Sequence, residues 1–330
     1  MTKVLILTSK KRVKKYSKPE DIPENWQIVF LDKAYTEDEA LRTGADADFI
    51  LVDVIYPVSA NLIAKMPNLK LIHTEGVGYD RINTNAAAQR GIYVCNNAGV
   101  NAASVAEQTI LLMLALLRRL LEGDKEVRLG RLSETKSRFI LDGITELGSC
   151  HVGLIGLGAI GLETAKRLNA FGCKISYYDI KRAPAETEAE HGLTFLPLKD
   201  LLSVAEIISL HLPVLPDTVN LIDAEMLKIM KPNTLLINTA RGKIIDQKAL
   251  ADALVNGNIK GAGLDTLYPE PTGKNHPLLN LPESVQYKLV FSPHIGGTTN
   301  QDFERAHHNA WLNMQKVANG ERPNNIVNGL

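Results

Sequence analysis

The apolar segment at residues 152–155 runs straight into Gly156-Leu157-Gly158-Ala159-Ile160-Gly161 and then into a stretch of helix formers. G-x-G-x-x-G placed between a strand and a helix can hold a pyrophosphate. The first glycine permits the tight turn, the second lets the anion approach the backbone, and the third lets helix and strand pack closely. Backbone N–H groups at the helix start then face the charge. Six residues alone are weak grounds, and the next strand supplies the check. It reads KISYYDI and carries Asp179, 18 residues after Gly161. An acid about 20 residues on, at the end of the second strand, accepts hydrogen bonds from the adenosine ribose. The same carboxylate would repel a 2′-phosphate, so NAD is expected over NADP. Lys181 and Arg182 stand close by and work in the opposite direction. The expected cofactor contacts from this motif are Gly156, Gly158, Ala159, Ile160, Gly161 and Asp179.

Positioning such a turn requires alternating strands and helices. Short apolar runs at residues 4–7, 27–30, 49–52, 69–73 and 93–94 read as strands, each followed by turn residues or an amphipathic stretch such as 59–65. Residues 101–121 contain no Gly or Pro and are apolar nearly all round to Leu117, which predicts one buried helix connecting two domains. Residues 122–146 are polar and charged; they fit a helical excursion or a dimer arm, and periodicity does not decide. From His151 the alternation restarts, with strands expected at 152–155, 174–180, 205–211, 234–238, 261–266 and 289–291, and a last helix at 298–319. Strand and helix in alternation predict parallel sheets with helices on their faces. The expected fold is α/β, with two doubly wound parallel-sheet domains. A Rossmann dinucleotide-binding domain at 101–298 would be inserted into a flavodoxin-like substrate domain formed by 1–100 and 299–330.

At roughly 150 residues per domain, 330 residues also suggest two domains. Lys+Arg and Asp+Glu are equal at 37 each, which argues against nucleic acid as a partner and against an anionic membrane surface. No apolar stretch reaches the roughly 20 residues of a membrane span. The three cysteines, Cys95, Cys150 and Cys173, form no C-x-x-C pair and no disulfide framework, and a cytoplasmic setting fits. No metal is expected: His307 and His308 are neighbours on a helix and point in different directions, and no H-E-x-x-H is present.

Several further motifs carry a resemblance. They are G-V-G-Y-D at 76–80, V-A-E at 105–107, H-L-P at 211–213, N-T-A-R-G at 238–242, L-D followed by P-E-P between 264 and 271, and S-P-H-I-G-G at 292–297. In this order, with the glycine motif, the sequence resembles the D-isomer-specific 2-hydroxyacid dehydrogenases over nearly its whole length. The resemblance implies a hydride transfer between NAD(H) and a small D-2-hydroxy or 2-keto acid. It implies that Arg241 holds the substrate carboxylate and carbonyl, a two-pronged grip that suits a guanidinium. It makes His294 the acid/base, with Glu270 on the other ring nitrogen favouring imidazolium and fixing the ring. It further implies cofactor contacts at His211, Pro213, Thr239, Ala240, Asp265, Gly296 and Gly297, and substrate contacts at Gly76, Val77 and Gly78. Domain closure over the ligand and a homodimer are expected on the same basis. The chemistry is coherent by itself: hydride arrival makes an alkoxide-like oxygen beside a carboxylate, which calls for a fixed cation and a proton donor.

Three features depart from the family pattern. Glu75 stands before Gly76, where a small or hydroxylated residue is more usual; it is expected to meet a substrate donor or to point at Arg81. Residues 124–140 lack the customary Trp of a region that often builds the dimer contact. Ser149-Cys150 replaces a Gly-Lys before the glycine motif. Val54, Ile55 and Tyr56 are expected to line the side-chain end of the pocket, and their apolar character disfavours a phosphorylated substrate. The chain length leaves no room for the regulatory domain of some phosphoglycerate enzymes. An NAD(H)-sensing corepressor-like protein with little turnover is the alternative, and oxidation of formate or phosphite a third reading.

Overall fold

A computed structural model describes residues 1–31 and 35–330. The chain folds as two compact units, Met1–Asn101 with Thr298–Leu330, and Ala102–Gly297.

The first unit is built on five strands: β1 (Lys3–Leu7), β2 (Gln27–Phe30), β3 (Phe49–Val52), β4 (Leu71–Thr74) and β5 (Tyr93–Cys95). All pair in parallel, in the order β2-β1-β3-β4-β5. This is a doubly wound order with its switch point between β1 and β3, where loops leave the sheet in opposite directions and open a crevice at the strands' carboxyl ends. Strands covered on both faces read as unbroken apolar runs. β3 (FILV) shows this, with every side chain buried. Trp311, on the helix Asn300–Ala318, is fully buried with Val4, Ile6 and Phe49. Fully burying an aliphatic or Phe side chain such as Val4, Ile6 or Phe49 contributes about 1.5–3 kcal/mol.

The second unit has seven strands: β6 (His151–Ile155), β7 (Lys174–Tyr178), β8 (Leu193–Phe195), β9 (Ile207–Leu210), β10 (Leu235–Asn238), β11 (Gly261–Leu264) and β12 (Leu289–Phe291). They are all parallel, in the order β12-β11-β10-β9-β6-β7-β8. The expected α/β class with two parallel sheets is what the chain adopts. β8 is an addition to the expected set. It is a three-residue edge strand, too short to show alternation.

The helical stretch after residue 101 differs from the expectation of one helix to 121. It forms Ala102–Leu117, stops, and restarts as Leu120–Arg128, with Arg119 at φ +51° between them. No Gly or Pro marks the break. Arg119 is held there by Glu122 at 2.8 Å and Asp142 at 2.6 Å, with its guanidinium 4.1 Å from the centre of the Phe139 ring. The undecided region 122–146 is largely helical, with a further helix at Leu132–Asp142. Among the described residues no helix is long and apolar enough to cross a membrane.

Candidate active site

The carboxyl ends of the second unit's strands carry most of the residues singled out in the sequence. After β6 the chain turns at Gly156, whose φ is +96°. A Cβ there would lie 2.4 Å from the His211 carbonyl oxygen, so only glycine fits. Gly161 is equally constrained, its Cβ falling 2.3 Å from the Gly156 oxygen. Gly158 differs: nothing lies within 4 Å of a Cβ added there, so the space in front of it is open. The helix Ala159–Phe171 begins at Gly158 with no side chain capping it. Ala159 and Ile160 lie in its first turn, whose N–H groups have no intrahelical acceptor. Asp179 follows β7 and accepts from the Leu157 N–H at 2.7 Å. Arg182 is turned away from it onto Glu188, with two contacts of 2.8 Å.

His211 follows β9. Its Nε2 meets Ser209 Oγ at 2.9 Å, while its Nδ1 is enclosed and has no partner among the described residues. Desolvation pushes its pKa down to about 4, so the ring is neutral at neutral pH. Pro213 is exposed two residues on, its carbonyl accepting from Thr218 at 2.7 Å. An open glycine turn, an uncapped helix start and an orphaned ring nitrogen fit a dinucleotide lying along these strand ends.

Arg241, Asp265 and His294 follow β10, β11 and β12, three neighbouring strands. Asn238 shapes the first of these loops: its Oδ1 accepts from the Ala240 N–H and its Nδ2 donates to the Arg241 carbonyl, both at 2.9 Å. Thr239 is buried against Thr109, oxygen to oxygen at 2.8 Å. Gly242 allows the loop to press on the Leu267 backbone, where a Cβ would come within 2.2 Å. Arg241 is half-buried, donates to the Ala240 carbonyl at 2.8 Å, and has no carboxylate partner among the described residues.

His294 sits at φ +56°, a left-handed conformation unusual for a side chain with a Cβ. Asp265 holds it there. The Asp265 carbonyl accepts from the His294 N–H at 2.8 Å. Its carboxylate accepts from Ile295 N–H at 3.0 Å, Gly296 N–H at 2.9 Å and Ser292 Oγ. Gly296 is packed against that carboxylate, and Gly297 follows it, half-buried. The His294 Nδ1 lies 2.8 and 3.0 Å from the two oxygens of Glu270. That contact sets the proton on Nδ1 and leaves Nε2, which has no protein partner among the described residues, to exchange a proton with a ligand.

In the first unit, Gly76, Val77 and Gly78 form the loop after β4, and their N–H groups have no acceptor among the described residues. Tyr56 leans edge-on against Tyr35, with ring centres 5.6 Å apart. Glu75 does not point at Arg81. It is buried, with Oε2 accepting from Thr8 Oγ1 at 2.6 Å and Arg12 at 2.7 Å, and Oε1 lying 2.9 Å from His307 Nε2. Arg12 also meets Asp53. Burial works against the Arg12 charge, but Glu75 and Asp53 outweigh it and raise its pKa. His307 and His308 do diverge, His308 turning to Asp21 at 2.8 Å. Sequence reading gave no role to Asn96 and Asn97, which lie in no named motif, or to Asn238, which opens the N-T-A-R-G motif; their partners are visible only in three dimensions.

Residues 110–296 match the D-isomer specific 2-hydroxyacid dehydrogenase NAD binding domain. The chain belongs to the D-isomer-specific 2-hydroxyacid dehydrogenase family. It is an NAD-dependent oxidoreductase acting on a CH–OH donor. A glyoxylate reductase of Thermofilum pendens is 40% identical over 89% of this chain and 85% of its own. A D-3-phosphoglycerate dehydrogenase of Mycobacterium bovis is 38% identical over 82% of this chain but only 49% of its own. Among solved structures, the D-lactate dehydrogenase of Aquifex aeolicus, complexed with NAD and lactic acid, is 30% identical over 96% of each chain with a TM-score of 0.80. The relatives are enzymes by name, and the corepressor reading has no support.

Proposed function

We propose that this 2-hydroxyacid dehydrogenase reduces a small, unphosphorylated 2-keto acid with NADH, glyoxylate first among them, and oxidises the D-2-hydroxy acid in reverse. The observation that carries this is the His294–Glu270 pair with its free Nε2. His294 gives a proton to the carbonyl oxygen as hydride reaches the carbon, and takes it back in the reverse direction. Arg241, with no carboxylate of its own to satisfy, binds the substrate carboxylate and polarises the carbonyl. The N–H groups of Gly76, Val77 and Gly78 are assigned to the substrate carboxylate as well. Bound NAD(H) supplies the hydride. Gly156, Gly158, Ala159, Ile160 and Gly161 would hold its pyrophosphate and Asp179 its adenosine ribose. His211, Pro213, Thr239, Ala240, Asp265, Gly296 and Gly297 would line the remainder.

The substrate class is argued from charge. Arg12, on the helix after β1, is committed to Asp53 and Glu75, and Val54, Ile55 and Tyr56 carry no charge. Glu75 is assigned as the anchor of the glycine loop, since both its oxygens are already taken. Arg182, tied to Glu188, is not free to receive a 2′-phosphate, which favours NAD over NADP. A cytoplasmic homodimer is proposed, the three buried free cysteines being suited to a reducing compartment.

The test is NADH oxidation with glyoxylate, pyruvate, hydroxypyruvate, 3-phosphohydroxypyruvate and phenylpyruvate. Glyoxylate or another small unphosphorylated acid is expected to have the highest kcat/KM, and a preference for the phosphorylated acid would refute the substrate assignment. His294→Ala should lower kcat by about 100- to 10,000-fold while NADH binding stays intact. Near-normal turnover in that variant removes His294 from the mechanism.

A further inference from the structure

The loop after β4 carries three consecutive N–H groups with no acceptor among the described residues, and hydrogen bonds hold the carbonyls of the same peptides. In a planar trans peptide the C=O of one residue and the N–H of the next point in opposite directions. Fixing the carbonyls of residues 75, 76 and 77 therefore fixes the N–H groups of Gly76, Val77 and Gly78. All three carbonyls are held from behind. The Glu75 carbonyl accepts from Asn97 Nδ2 at 3.0 Å. The Gly76 carbonyl accepts from the Asn97 backbone N–H at 2.9 Å and from Thr74 Oγ1 at 2.7 Å. The Val77 carbonyl accepts from Asn96 Nδ2 at 2.8 Å. Asn97 Nδ2 also reaches the Thr74 carbonyl at 3.1 Å.

Both asparagines are buried, so these bonds form away from water. The Asn97 amide has its orientation set by Asn309 on the helix Asn300–Ala318, whose Nδ2 donates to Asn97 Oδ1 at 2.8 Å. That leaves the NH2 end facing the two carbonyls. Asn96 is locked similarly, its Oδ1 accepting from the Ala98 N–H at 3.1 Å. Three successive N–H groups without protein acceptors, on peptide planes held by their carbonyls, suit an anion.

We propose that Asn96 and Asn97, with Asn309 behind them, are positioning residues that preorganise the Gly76–Gly78 N–H groups to bind the carboxylate of the 2-keto acid. This rests on the reading of those N–H groups as carboxylate ligands. The asparagines do not touch substrate. They act by making the unbound loop already correct, so that binding does not have to order it. Neither lies in the dinucleotide-binding unit.

The experiment compares Asn97→Ala, Asn96→Ala and Asn309→Asp with the wild-type enzyme. An Asp at 309 accepts rather than donates, so the Asn97 amide must reverse and present its oxygen to the carbonyls of Thr74 and Glu75. It tests the same orientation without altering the loop, and so serves if either alanine variant does not fold. The readouts are KM and kcat for glyoxylate, Kd for NADH, and Kd for oxamate, an unreactive carboxylate analogue, in the presence of NADH. Losing the alignment of one N–H contact to the charged carboxylate should raise KM and the oxamate Kd together by about tenfold, with kcat within about threefold and NADH binding unchanged. A KM and oxamate Kd within twofold of wild type in the folded variants overturns the proposal, as does NADH binding that weakens in step. The reading beneath it fails differently, by wild-type enzyme that binds NADH but reduces no 2-keto acid and binds no oxamate.

Discussion

In the proposed reading, Asp179 is the side chain on which cofactor choice turns. Its carboxylate is held at the end of β7 by the Leu157 N–H, facing the glycine turn. A 2′-phosphate arriving there would meet a fixed negative charge, and Arg182 is drawn away from it onto Glu188 through its Nε and one terminal nitrogen. Asp179→Ser removes the repulsion. The NADH-to-NADPH ratio of kcat/KM should fall by about tenfold, corresponding to roughly 1.4 kcal/mol. An unchanged ratio would show that Asp179 does not discriminate. Asp179 was readable because its distance from the last glycine is set by one helix and one strand, which are local. Glu75 was not. Its partners Thr8, Arg12 and His307 come from distant parts of the sequence, and nothing near position 75 signals that its charge would be neutralised internally.

The helices Leu120–Arg128 and Leu132–Asp142 are an element whose outer face needs explaining. Leu132, Ile140, Leu141 and Ile144 are exposed, Leu141 to 87%. A cavity of about 320 Å³ lies among Gly123, Val127, Leu132, Phe139, Ile140 and Ile144. Exposed apolar area of this kind is costly in water and marks a contact surface. A second copy of the chain is the expected occupant. If the proposed homodimer forms through this face, Ile140→Lys combined with Leu141→Asp should leave it monomeric in light scattering at micromolar concentration. An unchanged mass for the double variant would place the contact elsewhere. The wild-type chain running as a monomer would do the same. This region lacked a legible pattern because such helices can be apolar outward as well as inward. The break at Arg119 was likewise hidden. A left-handed residue costs about 1–2 kcal/mol, and it is held by Glu122, Asp142 and the Phe139 ring, contacts that form only once the chain has turned.

Buried neutral histidines link the folded chain as a whole to pH. His73 is fully buried, its Nδ1 on the Thr74 carbonyl at 2.8 Å and its Nε2 facing Asn313 Nδ2 at 3.1 Å. Desolvation lowers its pKa from 6.5 to about 4, and does the same to His211. Between those values the unfolded chain binds protons that the folded chain does not, so stability present above about pH 6.5 is lost as the pH falls toward 4. Asp302 opposes this. Burial raises its pKa from 3.8 to about 6, so the folded chain holds an extra proton over that range and gains stability on acidification. Two histidines outweigh one carboxyl. The unfolding free energy by urea titration should be lower at pH 5 than at pH 7, and His73→Gln should make that difference smaller. A free energy that rises on acidification would contradict these assignments.

The amino-acid pattern by itself determined the α/β class, the parallel sheets and the glycine turn with its acid. Each depends on periodicity or on spacing within one supersecondary unit, where local geometry and sequence distance are tied together. It also sufficed to identify the family, because many short motifs recur in one order. Tertiary structure alone decided the partners of the buried polar groups: Glu75 with Arg12 and His307, Asp265 with the His294 loop, Asn97 with the carbonyls behind the glycine loop. A buried donor or acceptor must be satisfied by whatever the fold brings beside it. That neighbour is set by packing across the chain, not by the residues adjacent in sequence.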